Sequence, residues 1–336
     1  MNRKPEKKRI RIFDYLKAAA VIFVIINHYI HSSWEVYNNS IFFPLTFKMP
    51  VPIFMIVTGC VLAMSQVKKP DNTLYNPKEL TKKILRFWIP FFFAYVVEVL
   101  LFILIYNRKY TVLDIVNNFL RGGAGLNGSY YVPVMIQLVF IFPVLYLLIK
   151  KYKTNGLIVC LAINFLYELI CTLTHIPYDI YRILMPRYIA YVALGCWFYF
   201  KDFQISKKLC AVMFSLGLGF IVIKHLGYKP YVFKMWADTC MLVAMYIFPI
   251  VACIIMKYKD YSSDGVISRV TTSIGNASYH IFLVQMIYYN IFYPYVLKAF
   301  NTPIINIPLN IVICCAVGMG FYRIEKGISK RIISLI

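Results

Sequence analysis

Apolar residues fill the chain in blocks of roughly 20, the length an α-helix needs to cross ~30 Å of hydrocarbon. Short clusters of Lys, Arg, Asn, Gly and Pro separate the blocks. The apolar windows fall at 12–31, 41–64, 85–106, 131–149, 155–175, 184–200, 209–226, 236–256, 276–297 and 304–323. These windows predict ten transmembrane helices and an all-α, polytopic membrane protein. The sixth and ninth are the least regular, because Pro186, Gly195 and Pro294 interrupt or border them. In the second, Pro50 and Pro52 remove backbone donors, while Thr58 and Gly59 permit close helix packing. That window reads either as a discontinuous helix lining a cavity or as a kinked span. Lys48 beside it is a buried or snorkelling cation.

Two connections are long enough to hold structure. In 66–84, Asn76 is placed to cap a helix that starts at Pro77 and runs into the third window through Lys82, Lys83 and Arg86. In 107–130, Gly122, Gly123, Gly125 and Gly128 precede the fourth window. Such a run suits a plain turn and a close approach to a ligand equally well.

Composition leaves no room for a soluble domain. Of the 336 residues 60% are hydrophobic, and the mean hydropathy is +0.66. Residues 1–336 therefore read as one membrane domain with a short basic arm at 1–11. The net charge of +22 matters through its distribution. With the N-terminus inside, 25 Lys and Arg fall on the cytoplasmic side, 9 outside, and Lys17 and Lys48 within spans. This positive-inside bias predicts a multi-pass protein of the cell membrane with both termini in the cytoplasm. Attraction to anionic lipid head groups accounts for the rest of the charge. A nucleic-acid partner is excluded, because no basic face is free of membrane. The basic arm and first apolar run also have the outline of a signal peptide, but Ser32-Ser33-Trp34-Glu35 offers no cleavage site, so an uncleaved anchor is expected. Nine cysteines scattered through the spans without C-x-x-C spacing predict neither a metal site nor a disulfide framework.

Ionisable residues inside spans are expensive, and they mark the candidate chemistry. Lys17 and His28 are eleven residues apart, almost three whole helical turns, so both side chains leave one face of the first helix. Asp14 lies one turn before Lys17. Imidazole titrates near neutrality, which makes His28 a candidate general base; the competing role is a hydrogen bond between helices. His31 is a neighbouring, interfacial residue, and His175, His225 and His280 have no comparable partners. Lys82, Lys83 and Arg86 at the mouth of the third span have the density to clamp phosphates, or they are ordinary topology signals. Glu98 and Glu168 fall near mid-membrane, where each must be protonated or paired, Lys17 and Lys48 being available cations.

In this order the segments resemble the acyltransferase-3 family of integral membrane acyltransferases. Asp14-Tyr15-Leu16-Lys17 followed by His28 is similar to its Asp-x-Leu-Arg…His opening, with Lys17 for Arg. Pro52-Ile53-Phe54-Met55-Ile56-Val57-Thr58-Gly59 resembles its Pro-x-Phe-Phe-x-x-Ser-Gly stretch, and Lys83-Ile84-Leu85-Arg86-Phe87-Trp88-Ile89-Pro90 its Arg-x-x-Arg-x-x-Pro run. Gly128-Ser129-Tyr130-Tyr131-Val132-Pro133 stands where the family often has Trp-Phe-Leu, and Ser278-Tyr279-His280-Ile281-Phe282-Leu283-Val284-Gln285 resembles a late Ser-Tyr-x-x-Tyr-Leu-x-His stretch, with Gln285 for His. The likeness spans nearly the whole chain, and it rests on order and spacing more than on any one motif.

The resemblance implies transfer of an acyl group, commonly acetyl, from cytoplasmic acyl-CoA to a carbohydrate at or beyond the membrane. It also implies an essential histidine at 28 and donor contacts from Lys17 and Arg86, with Lys82 and Lys83 beside them. Thr58, Asn27 and Tyr131 are candidates to face the oxyanion of thioester attack, and Asp14 and Glu98 are further cavity candidates. Acetyl-CoA is then a donor substrate, no cofactor is bound permanently, and no metal is expected. The acceptor is a hydroxyl of a cell-surface polysaccharide or its precursor. Some relatives carry an extracytoplasmic hydrolase-like domain that is absent from this sequence, so onward transfer would need a polysaccharide-assembly or acyl-accepting partner. The rival class is an exporter of a polysaccharide intermediate, which buried charges and a proline-broken span also suit.

Overall fold

The computed structural model describes residues 10–33, 45–46, 49–70, 73–124, 130–228, 240–261, 263–299 and 302–335, the side chains of 31–33 and 297–299 excepted. Most of the basic arm, Lys48, the His31 side chain and the glycine-rich stretch 125–129 lie outside the described residues. The described chain is all-helical: α1 (Ile12–Ser33), α2 (Pro50–Gln66), α3 (Pro77–Tyr106), α4 (Val112–Arg121), α5 (Tyr131–Tyr152), α6 (Thr154–Leu173), α7 (Tyr178–Ile183), a 3₁₀ turn (Met185–Tyr188), α8 (Ile189–Phe200), α9 (Lys207–His225), α10 (Met241–Tyr258), α11 (Val266–Ile287), a turn of π-helix (Tyr288–Phe292), α12 (Tyr293–Ala299) and α13 (Pro303–Ser334). Seven of these, α1, α3, α5, α6, α9, α10 and α13, are long and apolar enough to cross a membrane. The protein is an all-α polytopic membrane protein.

Several windows differ from their sequence limits; the tenth, for one, continues eleven residues further, to Ser334. The second helix begins at Pro50, with Pro50 and Pro52 in its first turn. The first four N–H groups of a helix have no partner within it, so prolines there start the helix and do not break it. The sixth window yields only the 12-residue α8, preceded by irregular backbone from Leu184 to Tyr188. Irregular backbone within a membrane domain needs internal partners, and here two side-chain amides supply them. Gln137 donates to Ile183 O and accepts from Met185 N, at 2.7 and 3.0 Å. Asn164 Nδ2 donates to Pro186 O and Arg187 O, both at 3.0 Å. The ninth window starts at Val266, ten residues before its apolar part, and passes through the π-turn.

Small residues let helix backbones touch. A Cβ on Gly59 would collide with the Val192 carbonyl, and one on Gly195 with the Ile56 carbonyl, so α2 and α8 cross glycine against glycine. The Cys60 thiol donates to Gly195 O at 3.2 Å in the same contact. Gly275 seats α11 on the Asp14 carbonyl of α1, and Gly318 seats α13 on Ile281 of α11. A core of α1, α2, α8, α11 and α13 results, with α3 and α5 closing one side.

The caps follow the sequence. Asn76 accepts from Lys78 N at 3.0 Å with Pro77 opening α3. Thr111 and Asp114 form a reciprocal capping box at the start of α4. Arg11 binds Ser263 O and, at 2.6 Å, Asp264, which joins the base of α1 to the α10–α11 turn.

Candidate active site

A cavity of about 310 Å³ opens between α1, α2, α3, α5 and α11. Lys17 and Val24 line it from α1, Val51, Phe54, Thr58 and Leu62 from α2, Phe87 from α3, and Tyr131 and Met135 from α5. The close approach of α11 at Gly275 brings Asn276, Ser278, Tyr279 and Phe282 to its wall. A smaller void of about 60 Å³ shares Thr58, Leu62, Phe87 and Met135 and continues to Lys83. The two together run from mid-bundle toward the start of α3, where the basic cluster stands.

The polar groups of the cavity are held in place. Lys17 Nζ pairs with Asp14 Oδ1 at 3.0 Å; the carboxylate side chain is 4% exposed, the lysine 28%. Tyr279 donates to the Phe87 carbonyl at 2.9 Å, which ties α11 to α3 across the cavity rim. The Tyr131 ring packs on Phe282, Phe54 and Tyr279, with centroids 4.9, 6.3 and 6.4 Å away. Hydroxyls of Thr58, Tyr131, Ser278 and Tyr279 and the Asn276 amide thus border an otherwise apolar chamber next to one ammonium.

The residues singled out from sequence separate into groups. Lys17, Thr58 and Tyr131 line the main cavity, and Lys83 reaches the smaller void. Lys82 is half-buried and Arg86 exposed, outside both walls. Asn27 is buried and Asp14 stands behind Lys17 as its counter-ion. His28 is half-buried one turn past Val24, about 6 Å further along the helix axis. Its ring packs against Tyr289 of the π-turn, centroids 5.4 Å apart.

The two mid-membrane glutamates are engaged away from the cavity lysine. Glu98 accepts from Ala124 N at 2.9 Å and from Asn290 Nδ2 at 3.1 Å. Glu168 accepts from Tyr181 OH at 2.7 Å. His280, which shows no partner in sequence, lies buried 2.9 Å from Glu325 Oε2 on α13. Forty-five residues separate that pair, so only the α11–α13 packing discloses it. The α11 wall was hidden for another reason: the window at 276–297 covers these residues, but nothing in their order shows that Gly275 packs the helix on α1 and brings Asn276 and Ser278 to the cavity. Gln285, also on α11, is fully buried and is not part of the cavity wall.

A polytopic helical bundle with a hydroxyl-lined cavity, and with a half-buried lysine and a half-buried histidine on one helix stripe, has the features of a membrane-embedded group-transfer enzyme. Residues 10–323 match the acyltransferase-3 family model, described as an acyltransferase domain. The chain belongs to that family and is a membrane acyltransferase. No curated protein and no solved structure matches it.

Proposed function

We propose that the protein transfers an acyl group, in the first instance acetyl, from acyl-CoA to a sugar hydroxyl of a cell-surface polysaccharide or its precursor. The observation that carries this reading is the passage lined by Lys17, Thr58 and Tyr131 and extended to Lys83, with His28 beyond its far end. The uneven spread of basic residues supports a cytoplasmic position for the Lys83 side and for both termini, within the cell membrane. The CoA phosphates then meet Lys82, Lys83 and Arg86, and Lys17 offsets charge within the chamber.

In the chemical step the acceptor hydroxyl oxygen attacks the thioester carbonyl while His28 takes its proton. The carbonyl oxygen carries the negative charge of the tetrahedral intermediate, which a hydroxyl donor such as Thr58 or Tyr131 stabilises. Collapse breaks the C–S bond, and the proton on His28 returns to the departing thiolate. Metal ions have no part in this scheme.

His28→Ala tests it. Full-length protein in lipid nanodiscs is assayed for acetyl transfer to a polysaccharide extract, with free thiol release as readout. Abolished transfer with unchanged folding supports the scheme; wild-type transfer removes His28 from it.

A further inference from the structure

The π-turn Tyr288–Phe292 is fastened to three helices. Tyr289 OH donates to Ile25 O of α1 at 2.7 Å, and Tyr288 OH binds Asn310 Oδ1 of α13 at 2.5 Å. Asn290 Nδ2 donates to Glu98 of α3, and Tyr106 OH donates to Ile291 O at 3.0 Å. Single turns of π-helix are rare inside α-helices and recur at functional sites. Here the extra residue lets Tyr289 face α1 against His28 while Asn290 faces α3.

Glu98 has a second partner. Its Oε2 accepts from Ala124 N, and Gly123 passes so close, at φ 148°, that a Cβ there would stand 3.1 Å from the same oxygen. Only glycine suits that backbone and that spacing. One carboxyl group therefore joins the connection between α4 and α5 to the π-turn, and the π-turn bears on His28. None of Glu98, Tyr289 and Asn290 lines the cavity, so catalysis as described above leaves them without a role.

The geometry points to a positioning relay: Glu98 and Asn290 fix the π-turn, and Tyr289 fixes the His28 imidazole, so the seating of the 122–124 backbone sets the orientation of the base. The inference rests on the proposed role of His28 for its catalytic consequence, and on geometry alone for its mechanical one. A shift of about 1 Å in a reacting group can reduce turnover by up to a hundredfold. Loss of the relay lowers kcat and leaves the KM for acyl-CoA unchanged, because the donor contacts lie at the other end of the passage.

The test uses Tyr289→Phe, Asn290→Asp and the double variant Asn290→Asp/Glu98→Gln in full-length protein. Asn290→Asp sets two carboxyl groups against each other. The double variant restores both contacts, since the glutamine oxygen still accepts from Ala124 N and its amide donates to the new carboxylate. Two quantities are read: the rate at which diethyl pyrocarbonate modifies His28, resolved by mass spectrometry, and steady-state kcat and KM.

Tyr289→Phe and Asn290→Asp are expected to raise His28 modification several-fold and to lower kcat about tenfold or more at constant KM. The double variant is expected to return both toward wild type. Should Asn290→Asp not fold, Tyr289→Phe delivers the same readout from the other end of the relay. Unchanged His28 modification in Tyr289→Phe, or an Asn290→Asp defect that Glu98→Gln does not rescue, overturns the relay. If modification responds as expected while His28→Ala still transfers acyl groups, the relay stands and the catalytic assignment of His28 falls.

Discussion

Lys17 has two separable duties, and one pair of substitutions distinguishes them. Its ammonium stands 3.0 Å from a carboxylate that is almost wholly buried. At that distance and an effective dielectric of about 20, the gross attraction is about 5–6 kcal/mol. Desolvation of both groups cancels much of it, yet removing the lysine takes a charge partner from a buried carboxylate. That loss is about 3–5 kcal/mol for a fully buried pair, and water around the part-exposed lysine brings it to about 2–3 kcal/mol here. Lys17→Met should therefore lower the thermal midpoint of the protein in nanodiscs, followed by tryptophan fluorescence.

Asp14→Asn added to Lys17→Met removes the buried negative charge and should recover most of the midpoint. If Lys17 also neutralises a polyanionic donor, the double variant stays inactive although it is stable. Lys17→Arg should keep both stability and activity, since guanidinium pairs with the carboxylate in forked geometry. A Lys17→Met protein as stable as wild type would refute the ion-pair argument. A double variant with full activity would refute the donor role.

Other perturbations address other parts of the molecule. Gly195→Val should abolish folding or yield only aggregated protein on size-exclusion chromatography, because overpacking costs about 1–3 kcal/mol even where neighbours can give way, and here the obstacle is the Ile56 carbonyl. Arg86→Ala should raise the apparent KM for acyl-CoA severalfold with little change toward the acceptor; unchanged donor saturation would leave the basic cluster as a topology signal. A membrane-impermeant maleimide should label Asn117→Cys but not Tyr75→Cys in intact cells, and the reverse would invert the proposed orientation. Thr111 hydrogen bonds hold the Asp114 carboxyl below its ordinary value. A depressed carboxylate stabilises above its unfolded pKa and loses that effect as pH falls through its folded one. Protection of 112–121 in hydrogen exchange should accordingly drop in that acidic range, and should not in Asp114→Asn, which has no carboxyl group to titrate.

Much of the fold could be read from the chain because lipid imposes length and polarity together. The α1 stripe, the Asn76 cap and the boundaries of α5 and α6 follow from residue order alone. The second window runs from 41 through Pro50 and Pro52 and reads as a broken or kinked span, whereas these prolines occupy the first turn of a helix, where their missing N–H costs nothing. The sixth failed because Gln137 and Asn164, distant in sequence, sustain backbone that is not helical. Within the site, Lys17 and Thr58 were legible as polar residues inside apolar runs, and Tyr131 as one at the edge of a run. The α11 wall depended on a glycine contact with α1, and the Glu98 partners depended on a turn of π-helix. Neither leaves a periodic trace.

The brevity of α8 has a consequence for distance. Twelve residues rise about 18 Å, and the 17 of α2, which crosses α8 at its glycines and lines the cavity, about 26 Å, against ~30 Å for a bilayer core. Neither helix alone spans that core, so part of the crossing beside α8 falls to the 3₁₀ turn and the backbone that Gln137 and Asn164 hold. Replacing either amide by an apolar side chain would leave those backbone groups unpaired inside the membrane domain, next to the helix that lines the chamber.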